Sequence, residues 1–171
     1  MSGVIRVKLV MVGAPSVGKS SLVRRFVHSI FSEDYHSTLG VKVDRKTVTL
    51  GDSVVTMLLW DMHGEAEGLV VPDNYLRGAG AALAVFDSTR PETIDAAATM
   101  LERVRAISPD SYGITVANKA DLDPDWSVID ESADRVGASE VHRTSAKSGA
   151  GVDEVFTAVA SEIRRRVVEG N

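Results

Sequence analysis

Apolar residues along this chain follow two alternating rhythms. Short runs rich in Val, Ile and Leu are each followed by a stretch whose apolar positions recur every three or four residues. That alternation predicts an α/β chain with a mostly parallel sheet covered on both faces. Val4–Val12 reads as the first strand. Lys19–His28 reads as the first helix, with Leu22, Val23, Phe26 and Val27 at helical spacing. Val41–Leu50 and Val54–Trp60 flank Gly51-Asp52-Ser53, a hairpin signal, so this pair is predicted antiparallel. Ala81–Phe86 is a continuous apolar run, as expected of a central strand buried on both faces.

Thr89-Arg90-Pro91-Glu92 has capping-box spacing with an early proline. It predicts the start of a helix carrying Ile94, Ala97, Leu101, Val104 and Ile107. Ile114–Ala117 is another buried strand, Val128–Val136 a weaker helix, and Val141 lies in a short last strand. The final helix has the clearest stripe, formed by Val152, Val155, Phe156, Val159 and Ile163. Glu162 and Arg164–Arg166 fall outside it, and the arginines read as a solvated last turn complementing the helix dipole. Two segments keep neither rhythm, Ser29–Leu39 and Asp61–Gly68, and both read as loops.

Gly13-Ala14-Pro15-Ser16-Val17-Gly18-Lys19-Ser20 sits between the first strand and the first helix and fits G-x-x-x-x-G-K-[ST] without mismatch. The backbone N–H groups of such a turn wrap phosphates, and the following helix points its positive end at them. Lys19 is placed to reach the β/γ oxygens, and the Ser20 hydroxyl to ligate Mg²⁺. Gly13, Pro15, Ser16, Val17, Gly18, Lys19, Ser20 and Ser21 are therefore the expected phosphate-side contacts.

Asn118-Lys119-Ala120-Asp121, at the end of a predicted strand, narrows the base. Guanine presents N1–H and an exocyclic amine along one edge, and the Asp121 carboxylate can accept from both. Adenine presents an acceptor there, which would leave a polar group unpaired. Ser145-Ala146-Lys147 can set a backbone N–H against the guanine carbonyl. Asp61-Met62-His63-Gly64 gives D-x-x-G, where the carboxylate holds Mg²⁺ through water and the glycine N–H meets a γ-phosphate. Thr38 can ligate Mg²⁺ with its hydroxyl and the γ-phosphate with its N–H. Each of these last two is common alone, and their order gives them weight.

Composition mainly removes alternatives. With 171 residues there is room for one domain, here spanning 1–171, and the net charge of −5 marks no nucleic-acid partner. With no cysteine in the sequence, disulfides, thiol catalysis, prenylation and palmitoylation are not expected, and with Ser2 neither is N-myristoylation. No run is long enough to span a bilayer. A cytoplasmic, monomeric protein without a lipid anchor is expected.

In the order of GAPSVGKS, STLG at 37–40, WDMHG at 60–64, NKAD at 118–121 and TSAK at 144–147, the chain resembles the Ras superfamily of small GTPases. It is most similar to the Rab and Ras branches, over essentially its full length. Tyr75-Leu76-Arg77-Gly78-Ala79 and Ala84-Val85-Phe86-Asp87 look Rab-like. The resemblance implies a single P-loop GTPase domain with a six-stranded sheet, one strand antiparallel, and about five helices. It implies a GTP/GDP switch using Mg²⁺, with mobile segments around Thr38 and Gly64 ordered by the γ-phosphate. Phe31 matches the family's base-stacking aromatic, and Tyr35 the tyrosine that closes over the phosphates. Effector, exchange-factor and activating proteins would bind through residues 30–45 and 61–77.

Some positions depart from that pattern. Glu65 stands where the family's glutamine orients the attacking water, so Lys19, Gly64 and Glu65 are the candidate catalytic group. Ala66 replaces the following glutamate, Met62-His63 the usual Thr-Ala, and Gly68 loosens the segment. Pro15 stands where many relatives have glycine, next to the space an activating protein's arginine would enter. Val43 replaces the phenylalanine of an aromatic trio in which Trp60 and Tyr75 match. His63 reads as a solvated loop residue or a pH-responsive group near the phosphate. His28, His36 and His142 read as surface residues. Two readings from other classes stay open: a GTP-holding scaffold that does not turn GTP over, and a small-molecule phosphotransferase. Asp121 and the short chain speak against the second.

Overall fold

Successive side chains of β1 (Val4–Val12) go to opposite faces of the sheet in the computed structural model of the chain. Val7, Leu9 and Met11 enter one core cluster, and Val10 and Val12 enter the other. The structure describes residues 3–29, 40–63, 71–122 and 141–170. Beside β1, the strands are β2 (Gly40–Leu50), β3 (Ser53–His63), β4 (Ala81–Asp87), β5 (Tyr112–Asn118) and β6 (Val141–Arg143). They lie in the order β2-β3-β1-β4-β5-β6, with only the β2–β3 pair antiparallel. Leu50 pairs with Ser53, so Gly51-Asp52 closes the predicted hairpin as a two-residue loop.

Among the described residues four helices cover the sheet: α1 (Lys19–His28), α2 (Asp73–Leu76), α3 (Glu92–Ile107) and α4 (Val152–Glu169). On one face Leu22, Val23 and Phe26 of α1 join the predicted α4 stripe over β1, β3, β4 and β5. Phe26 stacks on Phe156 with ring centroids 4.1 Å apart and planes 8° from parallel. Such a pair adds about 0.5–1.5 kcal/mol beyond its buried area. On the other face Ile94, Ala97, Leu101 and Val104 of α3 pack with Leu76 over Val10, Val12 and Phe86. Every residue of β4 is buried, as its unbroken apolar run predicted. The helix predicted over 128–136 lies outside the described residues.

Three local expectations need correction. β3 continues to His63 instead of ending at Trp60, because β2 supplies ladder partners as far as Gly40, Asp61 continues the buried alternation and Met62 is buried against the other face. His63 is therefore a strand residue by its backbone, not part of a loop. The Thr89 capping box does not form. Thr89 donates its N–H and hydroxyl to Asp87 Oδ1, and Pro91 takes the cap position without a side-chain bond. The α4 arginines do more than face solvent: Arg164 donates to Ser53 Oγ at 3.0 Å and Arg166 to the Asp110 carbonyl at 2.9 Å. Arg165 and Arg166 also pair with Glu162, whose carboxyl their hydrogen bonds bring down to about 2.

Candidate nucleotide site

All the candidate groups in the described residues lie at the C-terminal ends of the parallel strands, where ligands bind in open α/β sheets. The turn from β1 into α1 carries the phosphate loop. Its two ends need glycine because other backbone and side-chain groups come close. A Cβ on Gly13, at φ 140°, would stand 2.1 Å from the Val85 carbonyl oxygen, and one on Gly18, at φ 102°, 2.2 Å from Asn118 Nδ2. Gly18 then leads directly into α1, so the loop's N–H groups and the helix N-terminus share one concavity.

Lys19 is 7% exposed, and its Nζ crosses the loop to donate to the Gly13 carbonyl at 2.7 Å and the Ala14 carbonyl at 2.8 Å. The ammonium is thus held over the loop's hollow by groups that a phosphate oxygen can replace. Ser20, in the first turn of α1, is also buried. Asp61 is 2% exposed and pairs in register with Met11, beside the strand that launches the loop. The Ser20 hydroxyl and Asp61 carboxylate are hard oxygen donors, the type that Mg²⁺ takes. Among the described residues no cluster of three or more His, Cys, Asp or Glu forms a self-sufficient metal cage.

The segments at Asn118 and at Ser145-Ala146 meet this loop through the Asn118 amide. Asn118 Nδ2 donates to the Val17 carbonyl at 2.9 Å. Its Oδ1 accepts from Thr144 Oγ1 at 3.0 Å and from the Ala146 N–H at 3.2 Å. Ser145 Oγ donates to Asp121 Oδ1 at 2.7 Å, fixing the carboxylate at the exposed mouth. Lys119 donates to the Ser16 carbonyl at 2.9 Å and pairs with Asp87 at 2.7 Å.

Several contributors were not legible as site residues in the sequence. Arg25 in the last turn of α1 donates Nε to the Ala146 carbonyl at 2.8 Å and Nη2 to that of Lys147. It buttresses the base loop from behind, although by pattern it reads as a basic residue at a helix end. Ser88 donates its hydroxyl to the Lys119 carbonyl at 3.1 Å and its N–H to that of Asn118. Asp87 had one signal, a carboxylate ending a strand that is otherwise wholly apolar. Burial by itself raises its carboxyl, but hydrogen bonds from Lys119, Thr89 and Arg90 outweigh that and hold it below the ordinary carboxylate value.

Val43 pairs in register with Trp60, and the Tyr75 ring lies tilted to Trp60 with centroids 6.4 Å apart. The three positions of the expected trio are therefore together, with the Lys8 ammonium 4.0 Å from the Trp60 ring centre. Burial pushes the Lys8 pKa down. Phe31, Tyr35, Thr38, Gly64 and Glu65 lie outside the described residues, as does most of the segment from 30 to 45.

The model of the Ras family matches residues 8–165. The chain is 38% identical to "Ras-related protein RABA3" of Arabidopsis thaliana, over 94% of this chain and 70% of that protein. It is 33% identical to "Ras-related protein Rab-4B" of Homo sapiens and of Rattus norvegicus, over 95% of this chain and 78% of theirs. No helix among the described residues is long and apolar enough to cross a membrane.

Proposed function

The chain belongs to the Ras family, as a GTP-binding small GTPase close to the Rab proteins, and we propose that it is a slow switch using Mg²⁺. In this reading GTP orders the segments around Thr38 and Gly64, and hydrolysis releases them. The observation that carries the reading is the Asn118 amide. It binds the phosphate loop at Val17 and the base loop at Ala146, so one rigid group sets the distance between the two ends of a guanine nucleotide.

The residue roles follow from that frame. Asp121 accepts from guanine N1–H and the exocyclic amine, and the Ala146 region faces the base carbonyl. Phe31 stacks on the base and Tyr35 closes over the phosphates. Lys19 exchanges its loop carbonyls for β/γ oxygens, and the loop from Gly13 to Ser21 supplies N–H donors to the phosphates. Ser20 and Thr38 would hold the ion directly and Asp61 through water. When bound, the ion would neutralise charge shared between the β- and γ-phosphates. Gly64 donates its N–H to the γ-phosphate and Glu65 orients the attacking water. Effectors, exchange factors and activating proteins bind across 30–45 and 61–77, including the Val43–Trp60–Tyr75 patch.

Chromatography of the nucleotide released on denaturing freshly purified protein tests the reading, together with a single-turnover GTP assay with and without Mg²⁺. Mostly GDP, and Mg²⁺-dependent conversion of GTP, is expected. Persistent GTP would replace the switch by a non-hydrolysing scaffold, the reading that Glu65 and Pro15 leave open. Thr38→Ala should spare GDP binding and abolish GTP-specific protection of residues 30–42 from hydrogen exchange. Identical exchange there with GDP and a non-hydrolysable GTP analogue would overturn the switch.

A further inference from the structure

Two consecutive carbonyls of the phosphate loop are held by two cations that share one carboxylate. Arg90 Nη2 donates to the Pro15 carbonyl at 3.0 Å, and Lys119 Nζ donates to the Ser16 carbonyl at 2.9 Å. Both cations bond to Asp87 Oδ2, Arg90 through Nε at 3.1 Å and Lys119 through Nζ at 2.7 Å. Asp87 is 1% exposed and is itself fixed through Oδ1 by the N–H and hydroxyl of Thr89. The platform also stabilises the turn that presents Arg90. The Asp87 N–H donates to Thr93 Oγ1 at 3.0 Å, and that hydroxyl donates to the Arg90 carbonyl at 2.7 Å.

The stretch so held is conformationally costly. Ser16 has φ 62°, in the left-handed region that a non-glycine residue occupies at a cost. Pro15 before it has no N–H with which to tie its own turn. Yet the left-handed residue is what tips successive N–H groups into an anion-binding concavity. Without an outside hold, the loop would relax toward conformations that turn those donors away from a phosphate.

We propose that Arg90, braced by Asp87, is a positioning residue for the nucleotide phosphates, holding the Pro15 carbonyl so that the loop stays in its phosphate-wrapping shape. The proposal rests on the guanine-nucleotide reading above and adds to it a residue outside all five sequence motifs. Arg90 lies in the turn between β4 and α3 and reaches the loop at the Pro15 carbonyl. Its planar guanidinium bonds the Asp87 carboxylate through Nε and the Pro15 carbonyl through Nη2, two donors held at a fixed angle, where an ammonium has a single nitrogen for both. Its side chain is 38% exposed, so truncation removes the clamp without opening the core.

The test is release of a fluorescent GDP analogue from the full chain, chased with excess unlabelled GDP. Arg90→Ala should release it about tenfold faster, the scale of one lost charge-assisted hydrogen bond. Arg90→Lys, able to reach the carbonyl alone, should recover part of that loss. Arg103 on α3 supplies the structural control, since its guanidinium binds the Val71 carbonyl and Asp73 and none of the loop's groups. Arg103→Ala should lower the melting temperature and leave release unchanged. Release from Arg90→Ala at the parent rate, or equal acceleration by Arg103→Ala, overturns the proposal while the parent still holds GDP. A parent that retains no guanine nucleotide overturns the functional reading itself, and the clamp with it.

Discussion

Asn118 and Val17 are 101 positions apart in sequence, and the Asn118 amide closes on the Val17 carbonyl at 2.9 Å. The other end of the same amide accepts from Thr144 and from the Ala146 N–H, so neither end is spare. Asn118→Ala would leave the buried Ala146 N–H and Val17 carbonyl without this partner. Buried groups stripped of a partner cost about 1–3 kcal/mol each, so a loss of about 3 kcal/mol is expected. For a chain of this size that corresponds to a melting temperature lower by about 6–12 °C. Asn118→Asp separates fold from function more cleanly. It keeps the acceptor toward Thr144 and Ala146 but sets an oxygen against the Val17 carbonyl. Its GDP release should accelerate nearly as much as that of the alanine variant. Parent-like release from Asn118→Asp would show that the Val17 bond does not hold the loop.

Base choice rests on a different carboxylate. Ser145 donates to one oxygen of the exposed Asp121 carboxylate. Asp121→Asn offers an N–H₂ where guanine also offers donors, so GTP should weaken. Xanthosine triphosphate, with a carbonyl at C2, should gain. Calorimetric titration of both nucleotides with both proteins checks this. Equal binding of ATP and GTP by the parent would remove Asp121 as the selector.

The depressed carboxyl of Asp87 gives a pH signature with a definite sign. A group whose folded pKa lies below its unfolded value, here about 3.9, contributes stability that is full above that value. The contribution is lost as pH falls through the depressed folded pKa. The clamp should therefore not titrate between pH 8 and about 4.5. Asp87→Asn, which leaves Lys119 and Arg90 without their shared counter-charge, should be less stable than the parent at pH 7. Urea denaturation at pH 2.5–7 should show that gap narrowing below about pH 4. A gap that stays constant to pH 2.5 would mean the hydrogen bonds do not favour the ionised form.

The elements of this fold were legible where local pattern and tertiary role agree. Val4–Val12 and Lys19–His28 were placed without error because the glycine-rich loop between them has its own chemical signature. The five-residue sets of α3 and α4 likewise carried their periodicity in sequence. The misreadings have a common origin in contacts made across the fold. β3 runs on to His63 because β2 is there to pair with it, and Thr89 leaves its capping role because Asp87 is within reach. The four-residue α2 has too few positions to show a period. Motif residues such as Asn118 and Asp121 could be named from spacing alone, whereas Arg25 and Arg90 become site residues only when distant loops meet them. A guanidinium that binds carbonyl oxygens leaves no pattern in the chain, since every residue has a carbonyl.

Turnover should depend on Glu65, which stands in the place of a water-orienting glutamine. An ionised carboxylate can accept from water but cannot donate toward the phosphate, and its charge is repelled by the γ-phosphate oxygens. That like charge also disfavours ionisation, so the Glu65 pKa in the GTP complex should lie above the usual carboxylate value. Unaided hydrolysis should then be on the order of 10⁻⁴–10⁻³ s⁻¹, the scale of small GTPases without a catalytic arginine of their own. If only the ionised form orients water, the rate should climb as pH rises through the elevated pKa. Glu65→Gln, a neutral side chain that both donates and accepts, should flatten that rise. Glu65→Ala should slow the reaction at pH 8 by several-fold or more, as loss of a positioned base does. Single-turnover rates for the three proteins from pH 5.5 to 8.5 decide the matter. An alanine variant as fast as the parent throughout would take Glu65 out of the reaction and leave positioning to the phosphate loop and Lys19.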